Sequence, residues 1–426
     1  MMRIGFLSAA VPGHLNPTTA LARRLQARGH DVALIAVLDA ESHARAAQLP
    51  FIPYSEKEYP VGAMREITNR LSKLQGQAAL EHTIRIVAND LEASFRNLPQ
   101  TLLDARVDAL VVDQAKVGLG LVPTYLGMPY VHISNALHFD YSGNTPFCVF
   151  DWPHEETPEA QARNRAGLQG FMKTFEPTTA AGRAFAEQVG LDVDWTDPWA
   201  TISRLAWLTQ TPKEFDFQSS HWPSWFHYTG PFHDGSGRID ADFPWERLTG
   251  EPLIYASMGT LQNGLDTVFH QIAEAVGTRP GLQLVLSIGS SLDPAQIRSL
   301  PANAIVVQKA PQIELLKRAV LCITHSGLNT TLESLTQGVP MVAIPVTNDQ
   351  PGVAARIAYT KTGVFLPLKE MTVPRLASLI DEVLSNPEYR DNANQIKKAI
   401  AKTDGLEKAA DLLEEVFQLS KQTVEQ

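Results

Sequence analysis

Apolar positions in the N-terminal half of the chain fall into short continuous runs, each followed by a segment with apolar residues at helical spacing. Short apolar runs are typical of strands buried on both faces, and apolar residues at i, i+3 and i+4 indicate amphipathic helices. The pattern predicts strands at 3–9, 31–38, 108–113 and 129–134, and a helix over 17–30. This alternation indicates a parallel sheet covered by helices.

The same alternation starts again near residue 252 and predicts a second parallel sheet. Its strands are predicted at 252–257, 282–288, 304–308, 320–325, 340–346 and 363–367. A polar segment with several turn-forming residues separates the two sets and is predicted to be a linker. The predicted units are an N-terminal domain of residues 1–235 with a helical insertion at 140–205, a linker at 236–250, a C-terminal domain at 251–404 and a last helix in 405–426.

Composition narrows the classes of function. The 426 residues carry a formal net charge of -10, which argues against nucleic acid as a partner because phosphate binding favours a basic face. Cys148 and Cys322 lie far apart and predict no disulfide framework. No apolar run is long enough to span a bilayer, and the N-terminal run is too short for a signal peptide. A cytoplasmic protein without an integral membrane segment, monomeric or weakly dimeric, is predicted.

Two predicted strand ends carry residues that suit ligand binding. In open α/β sheets, ligands bind beyond the carboxyl ends of the strands. His14 follows the first predicted strand in the segment SAAVPGHLNP, and His325 ends a strand of the second set in the segment HSGLNTTLE. These two strand ends form the candidate functional site.

The segment after His325 has the features of an anion site at a helix start. Gly327 allows the backbone to approach a bulky anion, and Asn329 and Thr330 offer donors in the first helical turn. Free backbone amides and the positive end of a helix favour an anion at this place. The simpler alternative is that Ser326 only caps the helix.

Further polar side chains follow at spacings that suit sugar hydroxyls. Glu333 lies four residues after Asn329, on the same predicted helix face, where a carboxylate suits the two hydroxyls of a ribose. Asp349 and Gln350 follow the next predicted strand, and a carboxylate beside an amide suits a polyol. A phosphate, a ribose and a polyol together predict a nucleotide sugar as the ligand.

These residues resemble a known family. The segments H-S-G-L-N-T-T-L-E and G-V-P-M-V-A-I-P and the D-Q pair are similar to the nucleotide-diphosphate-sugar signature of family 1 glycosyltransferases, whose members glycosylate flavonoids, macrolides and carotenoids. The segments G-H-L-N-P, S-M-G-T at 257–260 and A-P-Q at 310–312 extend the resemblance over most of the chain. It implies the α/β GT-B fold, with two facing Rossmann-like domains, the donor bound by the C-terminal domain, and a last helix that crosses back to the N-terminal domain.

The resemblance also implies a role for each residue in holding a UDP-sugar. The diphosphate is assigned to His325, Gly327, Asn329, Thr330, Ser257 and Thr260, the ribose to Gln312 and Glu333, the uracil edge to the Ala310 backbone, and the sugar hydroxyls to Asp349 and Gln350. Many members have a Trp two residues before the Pro-Gln pair, where it stacks on uracil, but this chain has Lys309. A UDP-sugar, with glucose as the sugar, is the predicted donor, and TDP stays open.

Transfer of the sugar requires a base, because the acceptor hydroxyl must lose its proton as it attacks C1. A neutral imidazole suits this task, and a carboxylate can orient it, as in the serine-protease triad. His14 is the candidate base and Asp113, which ends a predicted strand, is its candidate partner; the resemblance implies the same pair. The helix start can hold the leaving diphosphate, so no metal is predicted, and direct displacement predicts inversion at C1.

The acceptor is expected to bind the first domain. Segments 60–95 and 138–205 are its candidate walls, and aromatic side chains there suit an apolar or phenolic molecule attacked through a hydroxyl or an aromatic carbon. These aromatic residues are Phe139, Tyr141, Phe147, Phe150, Trp152, Phe171, Phe175, Trp195 and Trp199. The alternative is that they only pack the insertion. His132 and His138 are expected to be structural.

Three functions other than sugar transfer would also fit an α/β chain. A dinucleotide-dependent oxidoreductase should carry G-x-G-x-x-G after the first strand, and GFLSAAVPGH does not fit that pattern. A sugar-nucleotide epimerase of GT-B shape would act on the donor alone. A non-catalytic nucleotide-sugar-binding protein would not need the pair of His14 and Asp113. The epimerase and the binding protein stay as alternatives.

Overall fold

Two parallel β-sheets organise the chain in the computed structural model, which describes residues 2–71, 74, 76–219, 221–238, 241–259, 266–289, 292–297 and 300–419. The N-terminal sheet has the strand order β3-β2-β1-β4-β5-β6-β7. Its strands are β1 (Arg3–Leu7), β2 (Asp31–Ala36), β3 (Phe51–Pro53), β4 (Ala109–Asp113), β5 (Tyr130–Ser134), β6 (Trp207–Thr209) and β7 (Phe226–Tyr228).

The C-terminal sheet has the strand order β10-β9-β8-β11-β12-β13, and its strand pairs are parallel, as they are in the first sheet. Its strands are β8 (Leu253–Ser257), β9 (Gln283–Ser287), β10 (Ile305–Val307), β11 (Ala319–Thr324), β12 (Met341–Ala343) and β13 (Gly363–Phe365). In each sheet the carboxyl ends of the strands therefore lie along one edge, where ligands bind in this class of fold.

Helices cover both sheets. In the N-terminal half they are α1 (Pro12–Ala27), α2 (Glu41–Ala46), α3 (Ala63–Leu71), α4 (Gly76–Asp104), α5 (Leu121–Tyr125), α6 (Pro158–Thr174) and α7 (Glu176–Val189). In the C-terminal half they are α8 (Asp266–Gly277), α9 (Gln312–Leu316), α10 (Leu328–Gln337), α11 (Gln350–Tyr359), α12 (Val373–Ser385), α13 (Pro387–Thr403) and α14 (Gly405–Val416). Single turns of 3-10 helix occur at Leu38–Ala40, Lys213–Phe215, Trp245–Arg247, Pro294–Gln296 and Leu368–Glu370.

The prediction of two parallel α/β sheets is confirmed, and all ten predicted strands are present with their ends moved by a few residues. The sequence pattern missed β3, β6 and β7. Each of them has only three residues. β3 is an edge strand and ends in Pro53, at a place where proline is tolerated because the ladder needs no donor there.

The predicted start of the first helix was wrong. We expected the helix to begin at Pro17 and His14 to lie in a turn, but α1 begins at Pro12 and carries His14 in its first turn. Pro12 suits the start of a helix, where its missing N–H costs nothing. Pro17 lies inside the helix and has no N–H to donate to the Gly13 carbonyl four residues earlier. That carbonyl is therefore left for another donor.

The last helix returns to the N-terminal sheet, as the GT-B prediction requires. Leu406, Ala409, Ala410 and Leu413 of α14 are buried in the apolar core formed by β1, β2 and α1. Arg28, just after α1, makes ion pairs with Glu407 and Glu414 of α14. Apolar burial therefore holds α14 in place, and the charges at the end of α1 add to it.

A buried ion pair joins the two halves of the chain. Arg356 of α11 donates through Nε to Oδ1 of Asp216, which lies between β6 and β7, at 2.6 Å, and both side chains are buried. Asp216 also accepts from the Tyr228 hydroxyl at 2.6 Å and lies 3.0 Å from Nε2 of His138. Burial alone raises the pKa of a carboxyl, but Arg356 and His138 hold the pKa of Asp216 well below its usual range. His138 is thus part of a structural network, as expected.

Candidate active site

His14 and Asp113 meet at the carboxyl edge of the N-terminal sheet. His14 lies in the first turn of α1, and Asp113 is the last residue of the neighbouring strand β4. Nδ1 of His14 and Oδ2 of Asp113 are 2.7 Å apart, and the side chain of His14 is 18% exposed whereas that of Asp113 is fully buried. The backbone N–H of Ala115 donates to Oδ1 of Asp113 at 3.1 Å. The carboxylate is thereby fixed, and Nε2 of His14 is the ring nitrogen left for a ligand.

The charge of Asp113 changes the basicity of His14. Burial lowers the pKa of the imidazole, but attraction to Asp113 and the hydrogen bond to it outweigh burial, so the pKa of His14 is raised from 6.5. For Asp113, burial raises the pKa and His14 lowers it, with a net lowering. The pair therefore combines an ionised carboxylate with an imidazole that readily accepts a proton.

The segment from His325 to Gly327 forms a tight turn between β11 and α10. Ser326 has a left-handed backbone conformation with φ of 61°, and its hydroxyl donates to the Gln350 carbonyl at 2.9 Å. The N-cap residue of α10 is Gly327, and no side chain caps the helix. The alternative that Ser326 only caps the helix is therefore wrong. The first amides of α10 are left for another acceptor.

The ring of His325 fits between two glycines. An added Cβ at Gly259 or at Gly327 would lie 2.4 Å from Nε2 of the ring, so neither position has room for a side chain without a shift. Burial lowers the pKa of His325 to about 4, against a smaller opposing effect of its hydrogen bond to the Ser257 backbone. The imidazole is therefore neutral at pH 7, and its one N–H is used by the hydrogen bond to the Ser257 backbone.

Glu333 and Gln312, the predicted ribose residues, lie against each other. Gln312 donates through Nε2 to Oε2 of Glu333 at 2.7 Å and accepts from the Tyr255 hydroxyl at 3.0 Å. The other oxygen of Glu333 accepts from Arg238 of the linker at 2.6 Å, with Arg238 27% exposed and Glu333 3% exposed. A carboxylate has about four acceptor positions, so two remain beside these partners.

The residues predicted to bind the hexose start α11. Asp349 is the N-cap residue of α11, and its Oδ2 accepts from the backbone N–H of Leu137 in the N-terminal half at 2.9 Å. Burial raises the pKa of Asp349. Gln350 accepts through Oε1 from the backbone amides of Val346 and Thr347 at 2.8 and 3.0 Å. The side-chain oxygen of Gln350 is thus used to brace its own loop, which leaves its N–H groups for a ligand.

The segments that follow β1 and β11 contact each other through Gly13 and Asn329. Asn329, in the first turn of α10, donates through Nδ2 to the Gly13 carbonyl at 2.5 Å, next to His14. This is the carbonyl that Pro17 cannot satisfy within α1. Thr330 is buried beside Gln312, with 3.3 Å between its hydroxyl and Nε2 of Gln312. The acid–base pair and the start of α10 therefore face each other across a narrow cleft.

The remaining predicted donor residues lie on the same edge of the C-terminal sheet. Ser257 ends β8 and accepts from the Gly259 amide at 3.3 Å. The Ala310 carbonyl accepts from the Gln312 amide at 2.8 Å, which starts α9. Thr260 lies outside the described residues. The strand ends thus bring the described candidates together, and their individual roles stay predictions.

Two polar residues near the cleft were missed in the sequence. Gln210 follows β6, a strand that was not predicted, and its Nε2 donates to Oδ1 of Asn329 at 2.8 Å. Arg238 lies in the segment predicted only as a linker. Neither has a motif around it or lies at a predicted strand end, and each meets its partner across about 100 residues or more of sequence. No pattern in the sequence marked either residue.

The aromatic residues of the insertion mainly contact one another. The Phe147 ring centroid is 4.6 Å from that of Phe171, the Phe171 ring stacks on Phe175 at 4.4 Å, and Phe150 stacks on Trp152 at 3.9 Å. Phe147 is buried in an apolar cluster that includes Val353 and Ile357 of α11. These contacts favour the alternative that Phe147 packs the domain boundary.

Membrane-spanning helices and metal-binding clusters are both absent from the described ranges. Among those residues, no helix is both long and apolar enough to cross a membrane. Within the same part of the chain, no group of three or more His, Cys, Asp and Glu side chains is arranged to hold a metal ion.

Comparison with known proteins agrees with the geometry. Residues 248–405 match the family described as UDP-glucoronosyl and UDP-glucosyl transferase. A zeaxanthin glucosyltransferase from Pantoea ananas is 28% identical over 97% of this chain and 96% of its own length. The crystal structure of the kitacinnamycin glycosyltransferase superimposes with a TM-score of 0.76 at 23% identity, covering 97% of this chain and 99% of that chain.

A further solved structure carries a nucleotide. The spinosyn rhamnosyltransferase SpnG, complexed with thymidine diphosphate, superimposes with a TM-score of 0.68 at 18% identity over 98% of this chain and 100% of its own. Structures at such low identity establish the fold, and the fold is GT-B, as predicted. The family matched by residues 248–405 is one of glycosyltransferases, and so is the full-length relative, so the chain is similar to this class of enzyme over nearly its whole length.

Proposed function

We propose that this enzyme transfers a hexose, with glucose as the first candidate, from a UDP-sugar to a hydroxyl of an apolar or phenolic small molecule, with inversion at C1. One observation carries the proposal: the contact between Asn329 and the Gly13 carbonyl brings the His14–Asp113 pair next to the start of α10. A base and an anion site on opposite sides of a cleft are what direct sugar transfer requires.

The chemical step follows from this arrangement. Nε2 of His14 accepts the proton of the acceptor hydroxyl, whose oxygen forms a bond to C1 of the sugar. The bond between C1 and the phosphate oxygen breaks at the same time, and UDP leaves with the electron pair. Asp113 stabilises the imidazolium that forms. No protein nucleophile takes part, so a single displacement inverts C1.

The leaving diphosphate is assigned to the start of α10 and to the residues around it. The uncapped amides and the positive helix end favour the growing negative charge. His325 is assigned to contact the diphosphate, and Gly327 keeps the backbone open for the phosphate oxygens. The predicted set of phosphate residues is completed by Asn329, Thr330, Ser257 and Thr260.

The nucleoside and the sugar are assigned to the flanking residues. The two free acceptor positions on Glu333 match the two ribose hydroxyls, and Gln312 orients that carboxylate. Asp349 and the N–H groups of Gln350 are assigned to the hexose. Lys309 offers no ring for base stacking, so the preference between UDP and TDP rests on the ribose contact to Glu333, which favours UDP because its sugar has both hydroxyls.

Two substitutions test this division of roles. His14→Ala should lower transfer by about 10²- to 10⁴-fold and leave the affinity for UDP within about twofold. Glu333→Ala should weaken UDP binding by about tenfold, because a buried charged hydrogen-bond acceptor is lost. UDP affinity by calorimetry and initial transfer rates separate the two effects. Equal loss of UDP binding in both variants would contradict the assignment.

The acceptor class requires a direct screen. UDP-glucose is incubated with a mixed panel of phenols, macrolides and hydroxylated carotenoids, and mass spectrometry identifies the products and whether the sugar is attached through oxygen or carbon. A parallel incubation of UDP-glucose without acceptor tests the epimerase alternative, which predicts a changed sugar nucleotide. A chain that binds UDP yet turns over neither sample would instead be a binding protein.

A further inference from the structure

Gln210 connects the backbone of the N-terminal half to the candidate phosphate residue of the C-terminal half. It follows β6 and is 1% exposed. Its Nε2 donates to the Asn135 carbonyl at 2.6 Å and to Oδ1 of Asn329 at 2.8 Å. Its Oε1 accepts from the Phe232 amide at 3.4 Å. Both hydrogens and the oxygen of this side chain are therefore in use.

Two backbone groups fix which way the Gln210 amide points. A backbone carbonyl can only accept, so the Asn135 carbonyl must meet the NH₂ end of Gln210. A backbone N–H can only donate, so the Phe232 amide must meet the oxygen end. The second hydrogen of Gln210 then points at Asn329, which has to present its oxygen in return.

The other end of Asn329 is fixed in the same way. The Gly13 carbonyl can only accept, so it requires Nδ2 of Asn329. This carbonyl is free because Pro17 removes its helical donor. Nδ2 carries two hydrogens and Gly13 takes one of them. The second hydrogen remains at the first turn of α10, where the diphosphate is assigned.

We propose that Gln210 is a positioning residue that fixes the side-chain amide of Asn329 with its NH₂ group, rather than its oxygen, available to the donor diphosphate. The inference rests on the proposed function, since it requires a diphosphate at the start of α10. It adds a residue of the N-terminal half to the machinery that selects the anion. A flipped Asn329 would turn a carbonyl oxygen towards the phosphate and repel it.

Reversal of the polarity at position 210 tests the proposal. Gln210→Glu keeps the shape but replaces the donor by an acceptor, so Asn329 must turn over to pair with it. The affinity for UDP should fall about tenfold or more, because a hydrogen bond to a charged group is replaced by repulsion. The affinity for uridine, which lacks the diphosphate, should stay within about twofold of the wild type. Gln210→Met, which has no polarity to impose, should lower UDP affinity less than Gln210→Glu.

A matched control separates orientation from burial of a charge. Gln283 is also 1% exposed and fully hydrogen-bonded, but it lies at the amino end of β9, away from the cleft. Gln283→Glu should lower thermal stability and leave UDP affinity unchanged.

The outcomes distinguish this inference from the proposed function. If wild type binds UDP but Gln210→Glu binds it equally well, or loses UDP and uridine in the same proportion, the positioning role is wrong and the proposed function stands. If wild type binds neither UDP nor TDP, the proposed function fails and the inference with it. Should Gln210→Glu fail to fold, Gln210→Met decides: a selective loss of UDP over uridine supports the role, and no selectivity overturns it.

Discussion

His14 and His325 occupy equivalent places in the two halves, but their surroundings shift the pKa of the imidazole in opposite directions. Each histidine lies where a parallel strand gives way to a helix, at the carboxyl edge of its sheet. His14 has a buried carboxylate at 2.7 Å and a pKa raised from 6.5. His325 is held between two glycines, and burial lowers its pKa to about 4.

The difference shows that the neighbours decide the chemistry of a residue more than its place in the fold does. The nearby carboxylate raises the pKa of the first imidazole, whereas burial between two glycines lowers the pKa of the second and keeps it neutral. One turn is therefore suited to basic catalysis and the other to anion binding without a titrating charge. Three substitutions, each of a neighbour of one histidine, and one pH profile test this contrast.

The largest effect is expected for Asp113→Asn. Transfer should fall about 10²- to 10⁴-fold, because the amide cannot stabilise the imidazolium or hold the ring nitrogen as the carboxylate does. UDP affinity should stay within about twofold, as measured by calorimetry beside initial rates. Glu414→Gln is the matched control: Glu414 also pairs with a histidine, His30, at 2.9 Å, but at the far end of α1. A comparable loss of transfer in both variants would remove the special role of Asp113.

A smaller effect is expected at the other turn from Gly327→Ala. The new Cβ would lie 2.4 Å from the His325 ring, so the ring must leave its place at the helix start. UDP affinity should fall about tenfold, because the displaced ring would obstruct the helix start to which the diphosphate is assigned. Gly170→Ala in α6 is the control, since no atom lies within 4 Å of its added Cβ. Unchanged UDP binding in Gly327→Ala would show that the ring position is unimportant.

The pH profile of transfer tests the two pKa directions. The base must be neutral to accept a proton, so activity is lost as the pH falls through the pKa of His14. Because that pKa is raised, the acidic limb of kcat/KM should lie above pH 6.5. In Asp113→Asn the largest contribution that raises the pKa of the ring is lost while burial still lowers it, so the limb of the residual activity should move to lower pH. An acidic limb near pH 4 would point to His325 instead.

The smallest effect is expected for Asp349→Asn. The negative charge of Asp349 contributes to the raised pKa of His14 from across the cleft, after the larger contribution of Asp113. Its loss should move the acidic limb to lower pH by less than Asp113→Asn does. The profile is measured at saturating donor, so that a weaker hold on the hexose does not enter. An equal or larger shift than that of Asp113→Asn would reverse the ranking of the two carboxylates.

The sequence predicted the parts of this site that rest on local patterns. Strand runs and the segment from His325 to Glu333 are contiguous, so their place at a sheet edge follows from the alternation of strands and helices. The proximity of His14 and Asp113 also follows, because their strands β1 and β4 are adjacent in a sheet of this order. The helix start at Pro12 was missed because Pro12, Gly13 and Pro17 together were interpreted as a turn before the helix.

Contacts between distant segments could not be predicted in this way. The pairing of Arg238 with Glu333 depends on where the linker lies over the C-terminal sheet, which no periodicity encodes. The bond between Gln210 and Asn329 depends on the separation of two domains to within a few tenths of an ångström. Such contacts follow from the packing of whole domains, and local sequence patterns do not predict them.

The ion pair between Arg356 and Asp216 has a consequence for behaviour in mild acid. The pair joins α11 to the segment between β6 and β7, and removal of either partner would cost about 3–5 kcal/mol. Because the pKa of Asp216 is depressed, the stabilisation from its charge is fully present above the pKa of an unfolded-state aspartate and is lost only as the pH falls towards the lower folded-state pKa. At slightly acidic pH the enzyme should therefore lose transfer activity through protonation of His14 while its two halves stay together. Neutralisation should restore the activity at once, without refolding.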